Sequence, residues 1–281
     1  MRFEIEHVTS YAYSRAVALG SHILRLQPRC DGAQRLLSFA CAIEPEPSVI
    51  SEYLDLEGNV VMHAWFSGKT RDLRITSTLT AESLRTNPFD YVPESSFAGL
   101  PAAYPADRAA LLAPYREAGE VGSEVIALAD RLAAAAHFEP LGFLWTLNTY
   151  LHQKFEREIH EDSGVQAPEL TLSRRRGACR DLAALFIAIC RQKGIACRFV
   201  SGYQASPEKE LDRRYGHAWA EVYIPGGGWR GYDPSHGLAV ADGHVAVAAA
   251  CCLDGTSPVA GTFYGADVES RMDVDLSIQV Q

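Results

Sequence analysis

The chain has 281 residues, 47% of them apolar and 22% charged, with a formal net charge of −9. That composition is globular rather than disordered. The acidic balance argues against the basic footprint of a nucleic-acid binder, and no apolar run approaches the roughly 18 residues that mark a membrane span. Seven cysteines, an odd number at irregular spacing, read as reduced thiols rather than a disulfide framework. The opening MRFEIEHVTSYAYS alternates charged and apolar residues, unlike a leader peptide, so a cytoplasmic location is expected.

The hydrophobic period divides the chain into a β-rich module over 1–95 and a mixed region over 96–281. In the first part, RFEIEHVTSYAYS, SHILRLQPR, LLSFACAIEPEP, VISEYLDLEGNVVMHAWFSG and DLRITSTLTAES alternate with period two and are broken by Pro, Gly and Asp, which is the strand signature. Leu56-Glu57-Gly58-Asn59 reads as a tight turn, with Gly58 supplying the positive φ. Residues 86–108 hold several prolines and read as a linker or a wrapping segment.

Helical periods follow. One helix is expected from Ser123, which reads as its N-cap, and a second over LGFLWTLNTYLHQKFE. A third begins near Ala178, where Leu182, Leu185, Phe186 and Ile189 form one apolar stripe and Lys193-Gly194 supplies the stop. After it, ACRFVSGYQ, HAWAEVYI and GWRGYD read as strands, the last two joined by PGGG. The C-terminal RMDVDLSIQV alternates strictly and is expected to bury the face carrying Met272, Val274, Leu276, Ile278 and Val280.

Cys179 falls in the first turn of the third helix, where unpaired N–H groups and the helix dipole favour an anion. A thiolate is such an anion, and the same N–H groups can bind a developing oxyanion. Gly177 is expected to let the backbone approach a substrate closely. His217, at the start of a strand, is the candidate base. Asp233, on the returning strand, is the candidate that orients it. A symmetric hairpin would put His217 opposite Ser235 or His236, so a bulge among Gly226–Gly228 or a diagonal contact must bring Asp233 to it. His236 is a reserve base. Asp181 complements the dipole, and Trp219 and Trp229 read as packing more than as a substrate platform. Cys190 and Cys197 read as core. Cys251 and Cys252 lack a second pair for zinc, and His22, His63, His160, His236 and His244 show no ligand spacing.

The ordered segments GACRDLAALF, GIACRFVSGY and HAWAEVYIPGGGWRGYDPSHG resemble the bacterial transglutaminase-like superfamily, a papain-like group that includes cysteine proteases. The likeness is strong over Arg176–Gly237. It extends to SHILRLQPR and DLEGN, which are similar to the N-terminal module of these proteins. It implies an α+β fold: an N-terminal antiparallel β module, then a papain-like core of helices against an antiparallel sheet, with Cys179 on a helix and His217 and Asp233 on the sheet. It implies acyl transfer or amide hydrolysis through a thioester on a peptide or protein substrate with an amide acyl donor, with no nucleic acid, membrane, metal or organic cofactor. No calcium-loop pattern is visible. A homo-oligomer is left open. The chain departs from the family pattern at Leu182, at Ala184 and at Cys251-Cys252-Leu253, the last of which bears on substrate preference. The alternatives are a non-catalytic binding or scaffold module of the same fold, and a metal-binding protein using the extra cysteines.

Overall fold

The computed structural model describes residues 1–158, 164–205 and 216–281. Five strands open the chain: β1 (Arg2–Leu24), β2 (Gln34–Glu44), β3 (Val49–Leu54), β4 (Val60–Trp65) and β5 (Thr70–Ser83). The two segments read separately at the N-terminus form one 23-residue strand, β1. Gly58, at φ 76°, turns the chain between β3 and β4, where the carboxylate of Asp55 accepts the N–H groups of Glu57 and Asn59.

The wrapping segment crosses to the second half of the molecule. There Glu94 N–H bonds to Pro225 O at 2.9 Å and Phe97 enters the helical core. Four helices follow: α1 (Ala106–Ala109), α2 (Ala113–Arg116), α3 (Ser123–Ala135) and α4 (Pro140–Lys154). Gly122, not Ser123, caps α3, and its N–H is held by Glu169 Oε1 at 2.6 Å. Next come β6 (Glu156–Arg157), α5 (Pro168–Arg174), β7 (Arg176–Gly177) and α6 (Cys179–Gln192). The chain closes with β8 (Cys197–Gln204), β9 (His217–Ile224), β10 (Gly228–Asp233), β11 (Leu238–Ala239), β12 (His244–Ala250), β13 (Val259–Tyr264) and β14 (Ser270–Val280). No described helix is long and apolar enough to cross a membrane.

Two main sheets result. The first has the order β2-β5-β1-β4-β3, with β13 and β14 also pairing with β1. The second has the order β11-β10-β9-β8-β12 and carries α6 against β8 and β9. The span 96–281 therefore supplies strands to both sheets. In β14 the buried face is carried by Leu276 and Ile278 alone, while Met272 and Val280 stay exposed. α5 and β12 have no clear period in the sequence. β12 is alanine-rich and buried at all seven positions, so it lacks the alternation of a one-faced strand.

β12 is an edge strand, and the first module covers it. The side-chain amide of Asn59 donates to Ala249 O and accepts from Ala249 N–H, both at 2.9 Å. Gln34 does the same at Ala246, both at 2.7 Å. Each amide stands in for one rung of a neighbouring strand, which satisfies buried backbone groups and closes the edge. Below them Phe3, Ile5, Leu79, Tyr203, Val247 and Ile278 form a shared apolar cluster. That packing fixes the module against the sheet that carries the site.

Candidate active site

α6 is held by its apolar stripe. Leu182, Leu185, Phe186 and Ile189 are all buried in the main core, with α3, α4 and β9 around them. Ala178 is its N-cap and has no side-chain acceptor, so Asp181 reaches back and accepts the Ala178 N–H at 2.8 Å. Asp181 also accepts the Gln166 N–H at 2.8 Å. A Cβ at Gly177 would lie 2.8 Å from the Asp181 Cβ. The glycine is thus needed for the close approach of Asp181. The parallel pairing of β6 with β7 fixes the chain just before Cys179.

The hairpin of β9 and β10 pairs without a bulge, from Gly228↔Ile224 to Tyr232↔Ala220. One step further along this ladder puts Asp233 across from Trp219. Asp233 reaches His217 diagonally, at 2.7 Å from Oδ2 to Nε2. Of the two routes the sequence allowed, the diagonal one is used. With Nε2 engaged, Nδ1 is the ring nitrogen left for the thiol of Cys179, whose pKa His217 lowers. The structure thus brings Cys179, His217 and Asp233 together.

Asp233 is fully buried and heavily bonded. Its Oδ2 accepts from His217, from His236 Nδ1 at 2.9 Å and from His244 Nε2 at 3.1 Å. Its Oδ1 accepts from the Ser235 hydroxyl at 2.7 Å and the Ser235 N–H at 3.0 Å. Burial alone would raise its pKa. The charge and hydrogen bond of His217, with the bonds from His236 and His244, outweigh burial and hold the carboxyl well below its ordinary value. Conversely, burial would discharge His217, but the Asp233 carboxylate and the Cys179 thiol raise its pKa to about 10. For half-buried Cys179, burial opposes ionisation, while the hydrogen bond and charge of His217 and the Ala218 N–H lower the pKa overall. Burial lowers the pKa of His244.

Sequence spacing did not reveal His244 or the true place of His236. Both ring nitrogens of His236 are engaged, by Asp233 and by Arg157 at 2.7 Å, where it was read as a reserve base. Arg157 can only donate, so His236 Nε2 accepts and its Nδ1–H points at Asp233. His217, Asp233 and His236 each offer one ligand atom within 4.8 Å of the others, a spacing that could hold a metal ion and that the sequence did not suggest. In the structure His217 and His236 instead bond to the Asp233 carboxylate. His160 lies outside the described residues. Trp219 is buried beside His217 and His244, and Trp229 packs under Arg198, so both serve as packing. All seven cysteines are free, and Cys190 and Cys197 lie in the core.

Cys179 and His217 open onto a cleft of about 460 Å³. Its lining also takes in Leu253, Asp254 and Thr256–Pro258, and the first module contributes His7 and Arg25. Of the departing segment Cys251-Cys252-Leu253, Leu253 lines the cleft.

A cysteine at a helix start facing a histidine on an antiparallel sheet defines a cysteine-based catalytic fold of the papain-like kind. Residues 3–82 match the bacterial transglutaminase-like N-terminal region and residues 127–234 match the transglutaminase-like superfamily, so the chain resembles these proteins in both of its parts. An uncharacterized protein of Mycobacterium tuberculosis is 28% identical over 290 residues, covering 99% of this chain and 92% of that one. An uncharacterized protein of Mycobacterium leprae is 25% identical, covering 99% and 98%. The crystal structure of a proposed cysteine protease from Cytophaga hutchinsonii shares the fold, with a TM-score of 0.72 at 19% identity over 100% of this chain and 91% of the other.

Proposed function

We propose that this protein hydrolyses an amide or peptide bond through a thioester on Cys179, with His217 as acid and base and Asp233 as its orienting partner. The observation that carries this reading is His217 bonded to the buried Asp233 carboxylate while it shares the cleft with Cys179 and lowers the pKa of that thiol. The thiolate of Cys179 attacks the carbonyl carbon, and the oxyanion forms near the first-turn N–H groups of α6. The C–N bond then breaks, and the imidazolium of His217 gives its proton to the leaving amine. Water attacks the thioester as His217 takes up a proton, the C–S bond breaks, and the acid leaves. These steps need no metal or organic cofactor.

Hydrolysis is favoured over amine transfer because the cleft admits water, the most abundant acceptor. The substrate is a peptide or protein carrying the amide. Seven free thiols suit a reducing compartment such as the cytoplasm.

The test is iodoacetamide labelling of native protein across pH, with peptide mapping, on wild type and His217→Ala. Selective alkylation of Cys179 below neutral pH, lost in the variant, is the expected result. A Cys179 no faster than an ordinary thiol would overturn the reading in favour of a binding module. Amine incorporation outpacing hydrolysis would overturn the preference for water.

A further inference from the structure

The first module reaches the cleft through Arg25, which follows β1 directly. Its backbone N–H is fixed to Pro258 O at 2.8 Å, and its side chain is only 13% exposed. Among the described residues its ion-pair partner is Asp55, at 3.6 Å from Nε. Asp55 is already committed: its two oxygens accept from Glu57 N–H, Asn59 N–H and the Asn59 amide and hold the turn between β3 and β4. Among the described residues the guanidinium makes no hydrogen bond, and its Nε is buried without an acceptor. A buried donor of this kind costs stability unless something accepts from it. A planar fork of five N–H groups matches a carboxylate.

The surroundings point the same way. Among the described residues the cleft lining carries two guanidinium groups, Arg25 and Arg180, against one carboxylate, Asp254. His7, also in the lining, is neutral near pH 7 because burial lowers its pKa to about 4. In a chain of net charge −9, the described lining around Cys179 thus carries more cationic than anionic side chains. A lining of this balance attracts anions and repels little of what the rest of the surface repels.

We propose that Arg25 is the core of an anionic subsite that binds a carboxylate of the acyl donor close to the amide cut by Cys179. This deepens the function proposed above and rests on it. The carboxylate is either an acidic side chain or a free C-terminus, and the two present the same chemistry to the guanidinium.

Three probes of nearly equal shape separate these cases: N-iodoacetyl-glutamate amide, N-iodoacetyl-glutamine with a free carboxylate, and the neutral N-iodoacetyl-glutamine amide. Rates of Cys179 alkylation are normalised to those of glutathione. At least one acid is expected to react about ten-fold or more faster than the neutral probe, as suits a charge-assisted bond. The faster acid tells which carboxylate is read. Arg25→Met should bring the acids down to the neutral probe and leave the neutral rate in place, while Arg25→Lys should keep part of the preference. Equal rates for all three probes, with Cys179 reactive, would overturn the subsite and leave the thiolate reading standing. If Cys179 reacts with none, the thiolate reading fails. Calorimetric binding of the corresponding N-acetyl compounds to wild type and Arg25→Met then decides the subsite by itself. An acid preference lost in Arg25→Met upholds it, and no preference rejects it.

Discussion

Replacing Asp233 with asparagine keeps the size of the side chain and removes the one charge that three imidazoles share. In the native site that charge is the chief reason His217 stays protonated up to about pH 10. Burial works in the opposite direction and remains in Asp233→Asn, where Cys179 is left to raise the pKa without the carboxylate, so the imidazolium should titrate close to the ordinary value of 6.5. At about one pH unit above that value, only about a tenth of the molecules hold the charged ring. Alkylation of Cys179 by iodoacetamide at about pH 7.5 should therefore fall at least about ten-fold, and the alkaline limb of its profile should move down by several pH units. The sign of the stability effect follows. Because His217 has a raised pKa, its contribution is complete below pH 6.5 and is lost as pH rises towards about 10, so Asp233→Asn should lose that alkaline slope in urea melts. A variant that alkylates at the wild-type rate with an unmoved alkaline limb would refute the claim that Asp233 holds the ring charged.

Three further outcomes are expected. Asn59→Leu leaves the N–H and C=O of Ala249 without their partners and should cost roughly 2–5 kcal/mol of unfolding free energy, read by urea titration. A loss below about 0.5 kcal/mol would mean that the amide does not close the edge of β12. Burial holds the pKa of His7 at about 4, so the unfolded chain binds a proton that the folded chain refuses between that value and 6.5. Stability should thus fall by roughly 3 kcal/mol from this residue as pH drops through the window, and His7→Gln should flatten that part of the slope. Excess Zn²⁺ should slow Cys179 alkylation by engaging His217, Asp233 and His236, with EDTA restoring the rate. An unchanged rate in Zn²⁺ would show that these donors stay bonded to one another.

The local part of this molecule is written in its sequence. Period-two alternation marks β2 and β5, Gly58 marks its turn, and the stripe from Leu182 to Ile189 marks α6, because each reports the burial of one face over a few neighbouring residues. Cys179, His217 and Asp233 were legible as chemistry, from a helix start and a hairpin whose register could be counted to within two residues. What spacing could not decide was the diagonal contact that joins His217 to Asp233, since a bulge would have served as well.

The clamp of His236 and His244 on Asp233 also lay beyond it. His244 arrives on β12, across the sheet from β10, and Arg157 meets His236 across 79 residues of chain. The return of β13 and β14 to β1, the amides that seal β12 and the entry of Arg25 into the cleft are likewise contacts between distant segments. The sequence by itself determined which elements form and which residue types could do acyl chemistry, because propensity, period and helix-end electrostatics act over a turn or two. Only the tertiary structure decided which charges share a dry space and which distant segment brings Arg25 to the cleft. Those depend on the packing of one module against another, and no local pattern carries that information.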